Sequence, residues 1–239
     1  MAPAVLLERR GAVLTATLNR PHRLNAYDTA MRDGVFEALG LAAADPSIAV
    51  FVVRGNGRAF STGGDLAEFG SAPSPVRARD VRQVRDAWGL WSTLPCVSIA
   101  AVHGSAAGGG FEMALLCDLV VCSEDARFWL PETGLGLLPG VGGTQTLPRA
   151  IGLGRAAAVL LAGRVIDART AERLGLATEV VTGRALRRRT AALAARIAAA
   201  PPGAVRAAKA SVARGLDMPL SRALGLERRL ARALGPGHT

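Results

Sequence analysis

CVSIAAVHGSAAGGGFEMALLCDLVVCSED, residues 96–125, decides the fold class. Residues 96–104 form a nearly continuous apolar run, the pattern of a strand buried on both faces. SAAGGGFEMALLCD, 105–118, reads as a glycine-rich turn feeding a helix, and LVVCSED, 119–125, as another strand. A strand, a glycine turn, a helix and a second strand in that order predict an α/β architecture with helices packed on a sheet.

The alternation continues outward. AVLLER (4–9) and AVLTATL (12–18) flank Gly11 and predict an N-terminal hairpin. Residues 27–44 predict an amphipathic helix with Asp28 near its start, and IAVFVVRG (48–55) a second doubly buried strand. A helix is expected over 78–92. ARFWLPE (126–132) predicts a strand ending at Pro131-Glu132, followed by short helices at 144–150 and 153–162. Beyond about residue 183 the chain becomes helical and rich in Ala and Arg, punctuated by Pro201-Pro202 and Gly215. Two regions follow: a core over 1–185 and a helical region over 186–239.

The bulk properties agree with a buried core. Half of the 239 residues are hydrophobic, and only 4% are aromatic, so the core must be built from Ala, Val, Leu and Ile. The net charge is +10, nearly all from arginine, with Lys209 the only lysine. Such a charge attracts polyanions in general. The arginines are scattered apart from 187–189, and no aromatics interleave with them to stack bases, which argues against a nucleic-acid role. Cys96, Cys117 and Cys122 match no zinc or redox spacing and read as buried thiols. The N-terminal apolar stretch is broken by Glu8, Arg9 and Arg10, so neither a signal peptide nor a membrane span is expected, and a cytoplasmic protein follows.

Three segments concentrate chemistry. GNGRAFSTGGDL (55–66) follows a buried strand, and its adjacent glycines could turn backbone amides toward a ligand or simply make a tight turn. In GSAAGGGFE (104–112), glycines open a helix whose free N–H groups favour negative charge and could stabilise an oxyanion. Glu112 lies in that first turn, where capping explains a glutamate as well as catalysis does. In WLPETGLGLLPGVGGTQ (129–145), Glu132 sits among apolar neighbours; if buried, its pKa would rise to suit a proton donor. No cluster is a P-loop or GxGxxG fingerprint, GxSxG is absent, no metal cluster is evident, and His103 reads as structural.

Taken together and in order, RPHRLNA, GRAFSTGGDL, HGSAAGGGFEMALLCD and LPETGLGLLPGVGGTQTLPR resemble the crotonase superfamily (enoyl-CoA hydratase/isomerase family) over roughly residues 3–215. The resemblance implies an α/β spiral of ββα units in two nearly perpendicular sheets, with a C-terminal helical region that mediates trimers, often paired into hexamers. It implies an acyl-CoA thioester substrate, no separate cofactor, and an oxyanion hole formed by the amides of Gly64 and Gly109. It places CoA along Arg23, Ala26, Ala59, Thr62, Gly63, Asp65 and Leu66, with Pro131 and Gly140 also lining the substrate site; Arg58 is a further candidate for the phosphates. Hydratases of this superfamily carry two glutamates, matched here by Glu112 and Glu132. The expected reaction is hydration of a 2-enoyl-CoA, as in fatty acid metabolism, Glu112 activating water and Glu132 delivering the α-proton. A 3,2-enoyl isomerase or another crotonase-type lyase or hydrolase is the alternative within the superfamily, and an RNA-binding or non-catalytic homologue the alternative outside enzymes. The sequence ends at ARALGPGHT, short of the acidic-Gly motif and final helix that the resemblance implies.

Overall fold

The computed structural model describes residues 2–71 and 85–235. β1 (Val5–Arg10) and β2 (Val13–Leu18) form the expected antiparallel hairpin, turning at Gly11, whose φ of 57° suits a residue without a Cβ. β3 (Val50–Gly55), β4 (Val97–Val102), β6 (Leu119–Ser123) and β9 (Glu179–Val181) add in parallel, giving the sheet order β1-β2-β3-β4-β6-β9.

The doubly buried runs are explained by what lies on each side. Phe51 and Val53 of β3, and Ala100 and Val102 of β4, join one core, whereas Val50, Val52, Val97, Ile99 and Ala101 join a second core across the sheet. Side chains alternate between faces, so a strand with helices on both sides must be apolar at every position. On the first side lies α1 (Thr29–Ala44), whose Asp28 cap accepts a hydrogen bond from Met31 N at 2.8 Å. It buries Met31, Val35, Ala38, Leu39 and Ala42, an i, i+4, i+7 stripe. α3 (Ala87–Ser92) packs beside it and carries Trp91, fully buried edge-on against Phe51. This helix is the described part of the one expected over 78–92; residues 78–84 lie outside the described residues. Between them in sequence comes the short α2 (Leu66–Ser71).

A second sheet, β5-β7-β8, is built from β5 (Ser105–Ala107), β7 (Arg127–Trp129) and β8 (Ile166–Asp167). Ser105–Ala107 departs from the expectation of an uninterrupted glycine turn: these residues pair in parallel with β7 before the helix α4 (Gly109–Leu115) begins. α5 (Gly143–Ile151) and α6 (Leu153–Leu160) match the predicted short helices within two residues at each end. β8, α7 (Ala168–Arg173) and β9 were not expected.

The helical tail comprises α8 (Leu186–Ala198), α9 (Pro202–Gly215) and α10 (Leu220–Ala233). α8 packs on β2, β3, β4 and β6 and roofs the second core through Leu186 and Ala194. α9 is tied down by Lys209, whose Nζ donates to Cys96 O and to the Asp118 carboxylate, each at 2.7 Å. No helix among the described residues is long and apolar enough to cross a membrane.

Candidate active site

Residues 61–64 run between two backbones. Ser61 bridges to Ala106 of β5, donating its N–H to Ser105 O (3.1 Å) and accepting from Ala107 N (3.0 Å). On the other side Tyr27 N donates to Gly63 O (2.7 Å), and Tyr27 O accepts from Asp65 N (3.0 Å). In that parallel bridge Tyr27 bonds to the residues flanking Gly64, so the N–H of Gly64 itself turns the opposite way. There it meets the start of α4, where the first N–H groups have no partner within the helix. The two backbones are nearly touching: a Cβ on Gly63 would stand 2.7 Å from Ala107 O and 2.9 Å from Gly109 N. Gly63 also has φ +83°, so glycine is required there on both counts. The amides of Gly64 and Gly109, named from the resemblance, therefore lie side by side.

Glu112 projects from the first turn of α4 and is 1% exposed. It is not a cap of its own helix. Its Oε1 accepts two backbone hydrogen bonds from the start of α5, Val141 N at 2.9 Å and Gly143 N at 2.8 Å. Burial pushes its pKa up, and the two N–H groups oppose that rise without cancelling it. A Cβ on Gly143 would lie 2.9 Å from Glu112 Oε1, so the glycine admits the carboxylate.

Glu132 begins the 3-10 turn Glu132–Leu135 that follows β7. Its Oε2 is buried with no hydrogen-bond partner. Burial outweighs the opposing hydrogen bond from its own backbone N–H and, with a smaller contribution from the neighbouring Glu112 charge, raises its pKa to about 7. Gly108, at φ +50°, makes room for it: a Cβ there would be 2.6 Å from Glu132 Oε1. The loop residue expected to have a raised pKa thus sits against the glycine that precedes the Gly109 amide, close enough to Glu112 to feel its charge.

Of the positions expected to follow CoA, Ala26, Thr62, Gly63 and Asp65 line the two paired backbones beside this pocket. Ala59 is buried at 2% exposure, so only its backbone is available, and its carbonyl is engaged by Asn25. The Asp65 carboxylate faces Arg20 at 2.9 Å. Burial works against its ionised form, but Arg20 and the Ala67 N–H outweigh it and hold its pKa below the ordinary aspartate value. Arg23, Arg58, Leu66 and Gly140 are exposed, and Pro131 is partly buried immediately before Glu132.

The histidine of β4's end and the thiols have structural settings. His103 Nε2 pairs with Gly57 O at 2.9 Å, in keeping with a turn histidine. Burial pushes all three thiols up, Cys96 to about 11 and Cys122 to about 12, so none is a nucleophile near neutrality. Among the described residues no cluster of His, Cys, Asp and Glu could hold a metal ion. A cleft of about 1050 Å³ lies on the opposite side of the large sheet, under α8, lined by Arg10, Arg54, Arg187, Leu186 and Thr190 among others. It contains neither glutamate and neither glycine amide, so its size does not make it the reactive centre.

Residue-level reading missed the amides of Val141 and Gly143, the space-making role of Gly108, and the contributions of Arg20 and Asn25. The glycines were visible, but which side chain each one admits depends on segments about 24 to 31 residues apart being brought together.

The chain is similar to known proteins in sequence and in fold. The family model for enoyl-CoA hydratase/isomerase matches residues 8–236. The 2,3-dehydroadipyl-CoA hydratase of Escherichia coli K12 is 38% identical over 229 residues, covering 95% of this chain and 88% of the relative. The crystal structure of an enoyl-CoA hydratase subunit from Geobacillus kaustophilus superposes with a TM-score of 0.91 at 38% identity, covering 97% of this chain and 89% of that one. A relative from Thermobifida fusca, solved in complex with CoA, gives a TM-score of 0.88 at 32% identity over 97% of this chain and 92% of its own. By sequence over nearly its whole length and by fold, this chain belongs to the enoyl-CoA hydratase/isomerase family.

Proposed function

We propose that the protein is an enoyl-CoA hydratase, adding water across the 2,3-double bond of a 2-enoyl-CoA to give the 3-hydroxyacyl-CoA. The observation that carries this reading is the pair of neighbouring glutamates beside two adjacent amides, one clamped by two backbone N–H groups and the other with a buried, unpartnered oxygen. The amides of Gly64 and Gly109 donate to the thioester oxygen and stabilise the enolate that forms as C3 is attacked. Glu112, with Oε1 clamped by two N–H groups, keeps its second oxygen for water and takes its proton as the oxygen bonds to C3. Glu132, protonated up to about pH 7, delivers its proton to C2 as the enolate collapses. One proton enters and one leaves the carboxylate pair, so the site returns to its starting charge after proton exchange.

Arg23 and Arg58 are exposed where CoA phosphates would be drawn, and the backbone of Ala26, Ala59, Thr62, Gly63, Asp65 and Leu66 follows the pantetheine. Pro131 and Gly140 flank the acyl end. The reaction needs no cofactor, CoA being part of the substrate. Assembly as a homotrimer or a dimer of trimers is supported by the apolar exposure of the tail: Val212 is 64%, Leu216 81% and Leu220 73% exposed. A cytoplasmic location fits the substrate class.

The test is the loss of conjugated-enoyl absorbance with crotonyl-CoA. Hydration by wild type and its loss in both Glu112→Gln and Glu132→Gln supports the reading. Double-bond migration with a 3-enoyl-CoA that survives Glu112→Gln, without hydration, makes the protein an isomerase working through Glu132 alone.

A further inference from the structure

Asn25 touches neither glutamate, yet it is completely buried and unusually placed. It has φ 55°, directly after Leu24 at φ 52°. Two successive residues with a Cβ in the left-handed region persist only where their surroundings hold them. The side chain shows what holds here. Its Nδ2 donates to Asn56 O (2.9 Å), Ala59 O (2.8 Å) and Phe60 O (3.1 Å), and its Oδ1 accepts from Arg20 N at 2.9 Å. One amide group thus gathers three carbonyls of the turn that enters the glycine segment.

The connection continues to the amide pair. Ser61 Oγ donates to Asn25 O at 2.8 Å and accepts from Gly63 N at 3.2 Å. Thr62 N donates to Leu24 O at 3.2 Å. Arg20, whose guanidinium reaches Ala26 O, Asp28 and Asp65, closes the far end of the same segment. Residues 59–65 are therefore seated on the 20–27 loop from both ends, and Gly64 lies between the two clamps. The opposing Gly109 backbone is within contact distance, so a small shift of this seat would change the spacing of the two amides.

We infer that Asn25 is the positioning residue of the oxyanion hole, fixing the depth at which the 59–64 segment sits and hence the aim of the Gly64 N–H. The inference rests on the assignment of the Gly64 and Gly109 amides made above. It predicts that Asn25 acts on the transition state more than on CoA binding.

Two variants separate clamp from turn. Asn25→Gly accepts the left-handed conformation without strain but has no amide; Asn25→Asp keeps size and turn preference but faces the three carbonyls with a second acceptor. The readout is the red shift of an aryl-conjugated enoyl-CoA on binding, which reports carbonyl polarisation without turnover, together with kcat and KM for crotonyl-CoA at ligand-saturated, fully folded protein. The expected result is loss of at least half of the wild-type red shift in both variants, with kcat lowered about 100-fold and KM changed less than about threefold. Retention of the shift and of kcat in Asn25→Gly overturns the inference, because Asn25 then serves only the turn. A lower unfolding temperature with an unchanged shift overturns it equally. A wild-type shift without hydration, lost in Asn25→Gly, upholds the inference while the hydratase reading fails; no wild-type shift removes both the amide assignment and the inference built on it.

Discussion

The 139–143 loop and the 131–137 turn each serve one of two neighbouring glutamates, and they treat it differently. The first supplies two backbone N–H groups to Glu112 from the start of α5, so a carboxylate with almost no solvent contact still has partners for its charge. The second carries Glu132 on a 3-10 turn with one oxygen buried and unpartnered, and its pKa rises to about 7. In the proposed hydration, neighbouring backbone rather than residue type makes one of two identical side chains the proton acceptor and the other the proton donor. The glycines complete the contrast: Gly143 leaves room for Glu112, and Gly108 leaves room for Glu132.

Breaking either half of the pair has the largest expected effect. Glu112→Gln and Glu132→Gln each lower crotonyl-CoA hydration by ~10²–10⁴-fold, the range of a lost general acid or base, followed by absorbance at saturating substrate. A smaller effect comes from crowding one carboxylate. Gly108→Ala places a methyl 2.6 Å from Glu132 Oε1 and strains a φ of +50°; a displacement of the acid by about 1 Å lowers kcat by ~10²-fold, with the CoA affinity, read by calorimetry, nearly unchanged.

The smallest effect is on stability, and its sign sharpens the comparison. The folded state holds Glu132 at a pKa of about 7, above the ordinary glutamate value, so it disfavours the ionised form. The resulting destabilisation is absent below about pH 4, develops as pH rises to 7 and is complete above it. Glu132→Gln removes it. After allowing for the partial exposure of the group, the variant is more stable than wild type by about 1–2 kcal/mol at pH 8, with no difference at pH 4, as read by chemical denaturation at the two pH values. Glu112→Gln keeps an oxygen for Val141 N and Gly143 N and shows a smaller pH-dependent gain.

The strands that set the frame were legible because their apolar runs are long and serve two cores: Phe51 faces one and Val52 the other. β8 and β9, two and three residues long, carry no such pattern and exist through pairing with β7 and β6. At the site, Glu112, Glu132, Gly64 and Gly109 were reached only through four ordered motifs and a family resemblance; locally, a cap and a loop glutamate explained the same residues. The Val141 and Gly143 amides and the Asn25 clamp were not legible, because each is defined by a partner 29 to 36 residues away whose backbone direction no local pattern specifies.

The difference between the two glutamates is tested most directly by the pH dependence of kcat in both directions, hydration of crotonyl-CoA and dehydration of 3-hydroxybutyryl-CoA. Hydration needs the pair's proton on Glu132 and dehydration needs it on Glu112, so both rates are predicted to fall together as pH rises through about 7 and the pair loses that proton. Profiles that are flat through neutrality, or that rise with pH in either direction, would contradict the assignment of Glu132 as the proton donor.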